Sequence, residues 1–249
     1  MYRFFVKKEQ LNMSPVVISG RDYNHIRNVL RMKSGEEILL CGEDDDKEYL
    51  CVIKGFQDDD EYVELEIVDV FGNNRELPAE IILFQGLPKG DKMETIIQKA
   101  VELGVSKVVP VSMKRCVVKL DDKKAEKKLV RYNNISLSAA KQSKRGRIPE
   151  VTGVMSLKEA CDYAKELDYI LLPYELAEGM ELSKKRVMDA LCHKTIGIFI
   201  GPEGGFDTDE VSMIEECGGL KISLGHRILR TETAGMTVLS ILMFMLEQD

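Results

Sequence analysis

The sequence predicts an α/β protein in two parts: a small β-rich segment followed by a larger domain built on a mostly parallel sheet. Three observations carry this. Short apolar runs separated by turn-formers and acidic clusters fill the chain as far as Val68. Turn-favouring residues then gather at Phe71-Gly72-Asn73-Asn74-Arg75, the best linker candidate. Beyond that point apolar strands alternate with amphipathic helices, the pattern of a parallel sheet covered on both faces.

In the first part, Val16–Ile18, Glu37–Cys41, Tyr49–Ile53 and Val63–Val68 read as strands of a small barrel or meander. A helix is expected over Asp22–Leu30, where Tyr23, Ile26, Val29 and Leu30 recur at helical spacing. In the second part Glu80–Phe84 is a buried strand, and Gln85–Gly90 is the loop that leaves it. Asp91 with Glu94 has the spacing of a capping box. The helix it opens buries Met93, Ile96, Ile97, Ala100, Val101 and Leu103, and Gly104 stops it. Further strands are expected at Val108–Val111, Tyr169–Leu172, Ile196–Ile200 and Leu220–Leu224. The last helix, Ala234–Leu246, is almost wholly apolar and is expected to be buried.

Composition narrows the class. With 249 residues, 44% hydrophobic and 31% charged, the chain suits an ordinary globular protein. No signal-peptide pattern opens it, and no run of ~18 apolar residues is present to span a membrane. Six scattered cysteines without a CxxC spacing read as free thiols in a reducing, cytoplasmic setting, with no metal site. The net charge of −7 conceals an uneven distribution. Met1–Lys33 holds seven basic and two acidic residues, and Lys114–Arg147 twelve basic and three acidic. Acid gathers at Glu43–Glu48 and Asp58–Glu61. Local charge governs anion binding more than the total does, so the basic stretches remain candidates for a nucleic-acid surface. Solvated loops and helix faces are the alternative.

Ligands of open parallel sheets sit at the carboxyl ends of the strands, so the loops there are the candidates for chemistry. Gly201-Pro202-Glu203-Gly204-Gly205-Phe206 follows one strand, and Asp207 with Glu210 has capping-box spacing. Its glycines allow close backbone approach to a ligand, though a tight turn explains them equally. The spacing is neither GxGxxG nor a P-loop, which disfavours a nicotinamide-dependent dehydrogenase. Leu224-Gly225-His226-Arg227-Ile228-Leu229-Arg230-Thr231-Glu232-Thr233-Ala234 places two arginines and a glutamate at the mouth of the apolar helix. An Arg–Glu pair capping that helix is the structural alternative. Leu171-Leu172-Pro173-Tyr174-Glu175 is a third strand exit.

These segments resemble the SPOUT-class methyltransferases and, within them, the bacterial 16S rRNA uridine-N3 methyltransferase family. "IGPEGGF" at 200–206 and "LGHRILRTETA" at 224–234 are the specific parts. "HIRNVLRMKSGEEI" at 25–38, "QGLPKGDKMETIIQKAVELGV" at 85–105 and "AAKQSKRGRIPEV" at 139–151 match in order. The family pattern usually has glycine after the Gln-Ser pair, where this chain has Lys144. The resemblance implies a PUA-like RNA-binding β-barrel (1–72) and a SPOUT α/β domain (73–249) with a deep trefoil knot. It implies S-adenosylmethionine as cofactor, a homodimer, and 16S rRNA or the small ribosomal subunit as partner.

On that resemblance Leu172, Pro173, Gly201, Pro202, Glu203, Gly204, Gly205, Leu224, Gly225, Ile228, Leu229, Thr233 and Ala234 are the expected cofactor-binding residues. Arg230 is expected to stabilise or orient the uracil anion. Glu232 is expected to accept the N3 proton, the alternative being an ion pair that fixes Arg230. Arg3, His25, Arg27, Arg31, Lys114, Arg115, Lys144, Arg145 and Arg147 are the RNA-binding candidates. Competing readings are a SPOUT enzyme with another RNA target, and a non-enzymatic RNA-binding protein.

Overall fold

A computed structural model describes residues 1–42, 47–72, 75–118, 122–177 and 179–247, with Asp122 described in its backbone only. Glu43–Asp46 of the first acidic cluster, the linker residues Asn73 and Asn74, and Lys119 and Asp121 of the second basic stretch lie outside the described residues. The chain forms two compact units, Met1–Glu76 with Ala140–Ile148, and Leu77–Ala139 with Pro149–Asp249.

The first unit is a five-stranded sheet of β1 (Arg3–Val6), β2 (Val16–Ser19), β3 (Glu37–Gly42), β4 (Lys47–Gln57) and β5 (Tyr62–Gly72), with α1 (Lys8–Leu11) and α2 (Gly20–Asn24). Its order is β1-β3-β4-β5-β2, antiparallel except for the β1–β3 pair. Hydrogen bonding leaves β1 and β2 as edges, yet Phe4, Val16, Ile18, Ile26, Ile38, Ile53 and Leu65 share one core, so the sheet curls around it. The helix expected over Asp22–Leu30 begins earlier and changes character: α2 runs straight into a π turn, His25–Val29. Val29 is consequently exposed rather than buried.

The second unit holds β6 (Glu80–Gly86), α3 (Lys92–Glu102), β7 (Lys107–Ser112), α4 (Asp122–Gln142, whose end belongs to the first unit), β8 (Glu150–Val151), β9 (Met155–Ser156), α5 (Leu157–Ala164), β10 (Tyr169–Pro173), α6 (Met180–Ala190), β11 (Thr195–Ile200), α7 (Thr208–Glu216), β12 (Gly219–Ile222) and α8 (Thr231–Leu246). The sheet order is β12-β10-β11-β6-β7-β8, with β9 also on β7, and every pairing is parallel. Helices α5 and α7 pack together, and so do α3 and α8. Residues of α5 and α7 share a core with Phe84, Val109, Leu172 and Phe199 of the sheet. Phe84 and Phe199, opposite each other on β6 and β11, stack with centroids 4.4 Å apart. That burial explains why these strands are apolar at nearly every position.

Four expectations are corrected. Neither half of the Asp91 capping box forms: Asp91, at φ −96° and ψ 9°, lacks the extended backbone of a cap residue and makes no side-chain cap, and Glu94 pairs with Arg131 instead. Strand β12 ends at Ile222, which leaves Leu224 in the following loop. Helix α8 starts at Thr231, so Thr231, Glu232 and Thr233 are its first turn rather than loop. Nor is α8 buried all round: Val238, Leu239 and Leu242 face inward, whereas Ile241, Phe244 and Met245 are 40%, 77% and 45% exposed. One stripe packs on α3 and β11, and the opposite stripe is left exposed by the described residues.

Lys144 lies in the segment that returns to the first unit and has φ of 61°, in the left-handed region. A non-glycine residue there costs roughly 1–2 kcal/mol, against the ~0.5–1 kcal/mol that glycine's flexibility costs. Lys144→Gly is therefore expected to stabilise the protein by roughly 0.5–1 kcal/mol, read as a higher urea midpoint at unchanged slope.

Candidate active site

Because β10, β11, β12 and β6 are neighbours and parallel, their exits lie along one edge of the sheet. The glycine loop Gly201–Phe206 leaves β11, the segment Ser223–Arg230 leaves β12, and Pro173-Tyr174 leaves β10. The cofactor-binding residues expected from the sequence are thus brought together. Leu172 is an exception in one respect: its side chain is fully buried in the core, so only its backbone faces the exits.

Specific contacts fix each loop. The glycine loop closes on itself through the Gly205 N–H to Pro202 O bond of 2.9 Å. Gly205 has φ of +67° with nothing within 4 Å of a built Cβ, so its backbone borders open space. Asp207 caps α7 and Glu210 reaches back to the Asp207 N–H at 2.9 Å, the expected capping box. From the exit of β7, Arg115 donates to Gly204 O at 3.0 Å, and Lys114 donates to Asp207 and Asp209 at 3.0 and 2.7 Å. The β12 exit is held where Ser223 N–H donates to Ser183 Oγ at 2.9 Å.

Lys92, at the start of α3, joins two loops. Its ammonium donates to Glu203 Oε1 at 2.9 Å and stands 3.6 Å from Glu232 Oε2. Glu203 also accepts from the Lys89 N–H at 3.1 Å. Glu232 therefore faces Lys92 and not Arg230, which sets aside the alternative of an Arg230–Glu232 pair. Its Oε2 is buried and accepts no hydrogen bond among the described residues. Arg230 is exposed, and its side chain shows no hydrogen bond or ion pair among the described residues. Deeper in, the buried Gln85 donates to Thr231 Oγ1 at 2.8 Å, and that hydroxyl donates to Gly201 O at 2.6 Å. Gln85, Lys92 and Thr231 were not singled out from the sequence. A polar Gln ending the apolar run Ile81–Phe84 was the available signal.

Electrostatics bias the loop toward its ionised form. Burial acts to raise the Glu203 carboxyl, but the Lys92 hydrogen bond and backbone N–H donors outweigh it and leave it below its ordinary value. Lys92 is raised, chiefly by Glu203. Asp207 is lowered, first by Lys114, and Lys114 is raised to about 12, first by Asp209 and then Asp207. The two depressed carboxyls contribute stability that is complete above the unfolded carboxylate value of about 4 and lost as pH falls through the lower folded values. The lysine contribution is complete below its unfolded value and lost only as pH rises through about 12. Stability is thus expected to decline on acidification below about pH 4. Unfolding followed by circular dichroism across pH should show that decline flattened in Glu203→Gln.

The RNA-binding candidates divide. Arg3 is buried, with Nη2 at 2.9 Å from both oxygens of Glu48, and Arg75 joins the same carboxylate at 2.7 Å. Arg145 is buried against Glu76, which also accepts from the Gly146 and Arg147 N–H groups. Both guanidiniums are thus directed inward, where a buried cation needs its carboxylate. Arg27 lies 4.6 Å from the Phe56 ring centroid and bonds Asp58 at 2.7 Å. His25 meets the edge of Phe4 on the π turn, and Arg147 is half-buried. Arg31 and Lys144 are exposed. Lys114 and Arg115 are exposed but gathered onto the glycine loop. Among the described residues no group of three or more His, Cys, Asp or Glu could hold a metal, and no helix is long and apolar enough to cross a membrane.

A small β unit, and a parallel sheet with a glycine loop and an arginine-led helix at one edge, define an RNA methyltransferase: residues 75–243 match the RNA methyltransferase domain family, and residues 18–66 the RNA methyltransferase PUA domain family. The chain is 38% identical to the ribosomal RNA small subunit methyltransferase E of Bacillus subtilis, over 99% of this chain and 98% of that one. A putative methyltransferase of Legionella pneumophila, solved with bound S-adenosylmethionine, superposes with a TM-score of 0.83 at 32% identity, covering 98% of each chain. The Neisseria gonorrhoeae ribosomal RNA small subunit methyltransferase E, also bound to S-adenosylmethionine, gives 0.83 at 29% identity with the same coverage. The chain belongs to the ribosomal RNA small subunit methyltransferase E family.

Proposed function

We propose that the protein transfers a methyl group from S-adenosylmethionine to N3 of one uridine in the 16S rRNA of the small ribosomal subunit. The observation that carries this reading is the convergence of the glycine loop and the Arg230-led start of α8 at the carboxyl edge of the sheet, in a chain that aligns end to end with S-adenosylmethionine-bound relatives.

The site suits such a cofactor. Gly205 and Gly225 both have positive φ with open space at the Cβ position, so bare backbone can approach a nucleoside closely. Pro173, Leu224, Ile228 and Leu229 supply apolar surface at the same edge, the buried Pro202 backs the loop, and Glu203, Gly204, Thr233 and Ala234 complete the lining. When bound, the cofactor supplies an electrophilic methyl on a sulfonium. The chain must then deprotonate uracil N3 and stabilise the resulting anion. Glu232 Oε2, which accepts no hydrogen bond among the described residues, takes the proton. Arg230, whose guanidinium has no hydrogen bond or ion pair among the described residues, holds the carbonyl oxygens over which the charge spreads.

His25, Arg27, Arg31, Lys144 and Arg147 are the proposed phosphate contacts, which position RNA without reading sequence. Affinity for RNA is then expected to fall steeply with added salt, measurable by fluorescence anisotropy. The exposed stripe of α8 supports a homodimer. The strand order β12-β10-β11-β6, with α8 returning to pack on α3 and β11, supports a deep trefoil knot in the domain that follows residue 72. A substrate of this kind supports a cytoplasmic location. Incubation with radiolabelled S-adenosylmethionine and small subunits lacking the modification tests the function. Label should enter 16S rRNA; cofactor binding without transfer to rRNA contradicts the reading.

A further inference from the structure

We propose that Thr231 is a positioning residue for methyl transfer: its hydroxyl locks the start of α8, and with it Arg230 and Glu232, to the glycine loop. The inference rests on the methyltransferase reading above. Thr231 is 5% exposed and is the first residue of α8. Its Oγ1 donates to Gly201 O at 2.6 Å and accepts from Gln85 Nε2 at 2.8 Å. A hydroxyl has one hydrogen, so the direction of the relay is fixed: Gln85 to Thr231 to Gly201. The second hydrogen of Gln85 Nε2 goes to Gly86 O at 3.0 Å. Both donors of that buried amide are therefore used at the exit of β6.

The relay joins three chain segments at one buried point. Gln85 and Gly86 end β6, Gly201 opens the loop after β11, and Thr231 begins α8 after the β12 exit. The preceding segment needs such an anchor, because His226, Arg227 and Ile228 are all exposed. Arg230 caps α8 without a side-chain bond of its own, so its backbone placement follows from its neighbour. Glu232, on the other side of Thr231, is the group 3.6 Å from Lys92. Thr231 thus sets the distance between the arginine, the carboxylate and the cofactor loop while touching none of the reacting atoms. Misplacement of a reacting group by about 1 Å costs on the order of 10²-fold in rate, which is the scale such a lock protects.

Thr231→Val keeps the shape and removes the hydroxyl; Thr231→Ser keeps the hydroxyl; Gln85→Met removes the donor behind it. Cofactor affinity is measured by calorimetry, and kcat and KM with small subunits lacking the modification. The expected result is a kcat lower by on the order of 10²-fold in Thr231→Val, with KM and cofactor affinity within a few-fold of wild type. Thr231→Ser should restore kcat, and Gln85→Met should share the loss. A Thr231→Val enzyme with wild-type kcat overturns the inference alone. So does a parallel decline of kcat, KM performance and cofactor affinity that serine does not rescue, since that marks general destabilisation. If the valine variant does not fold, a Gln85→Met enzyme with wild-type kcat overturns it equally. A wild-type protein that binds cofactor but methylates no subunit overturns the activity reading and the inference together.

Discussion

Arg230→Ala is expected to slow methyl transfer by about 10²–10³-fold, the usual consequence of removing one preorganised donor from a developing anion. Cofactor binding should change little, because Arg230 is exposed and makes no hydrogen bond to the glycine loop among the described residues. Stability should hardly move either, since no internal carboxylate loses a partner: Glu232 is already engaged by Lys92. Single-turnover kinetics and calorimetry separate these effects. Full activity in the variant would remove Arg230 from the chemistry. The same reasoning distinguishes Arg230 from Arg3 and Arg145, whose replacement leaves Glu48 or Glu76 short of a cation inside the fold.

The second large effect is expected at Gly86, through packing. A Cβ there would lie 2.7 Å from the Pro202 backbone nitrogen and 2.8 Å from Pro202 Cδ. Backbone and a proline ring cannot yield as a flexible side chain does, so the glycine loop must shift. Gly86→Ala should cost about 1–3 kcal/mol of stability, the usual range for overpacking. It should also weaken S-adenosylmethionine binding, because the displaced loop is the one proposed to carry it. Urea unfolding and calorimetry on the same variant test both halves; an alanine variant with unchanged cofactor affinity would show that the β6 exit does not set the loop.

Much of the sheet was legible because parallel strands buried on both faces must be apolar almost throughout. Glu80–Phe84 and Ile196–Ile200 announce themselves this way and prove to be adjacent, with Phe84 against Phe199. The capping box at Asp207 was legible because cap and partner are three residues apart, and Glu210 closes it with one oxygen while the other accepts from the Lys114 N–H at 2.6 Å. The same spacing at Asp91 misled, because Arg131, distant in sequence, claims Glu94. Tertiary competition of that kind leaves no local trace. It also hides the destinations of Arg3 and Arg145, which read as surface cations in a basic run and are satisfied by carboxylates far along the chain.

The site was legible as segments but not as a network. The glycine loop and the Arg230 loop stand out by composition, whereas Lys92 and Gln85 acquire meaning only when β6 and its exit come beside β11 and α8. The apolar run of α8 was overread as full burial, because hydrophobicity alone does not say whether a helix meets its own chain or another. The π turn at His25–Val29 had no periodic signature distinct from an ordinary helix.

The central claim is that this edge of the sheet methylates uracil N3 in small-subunit rRNA. The most direct measurement treats small subunits lacking the modification with the purified protein and S-adenosylmethionine, digests the 16S rRNA, and locates the added methyl group by mass spectrometry against nucleoside standards. The account predicts a single 3-methyluridine near the decoding site, absent with Arg230→Ala. A methyl group on a ribose hydroxyl or another base, or none on small-subunit rRNA at all, would contradict it.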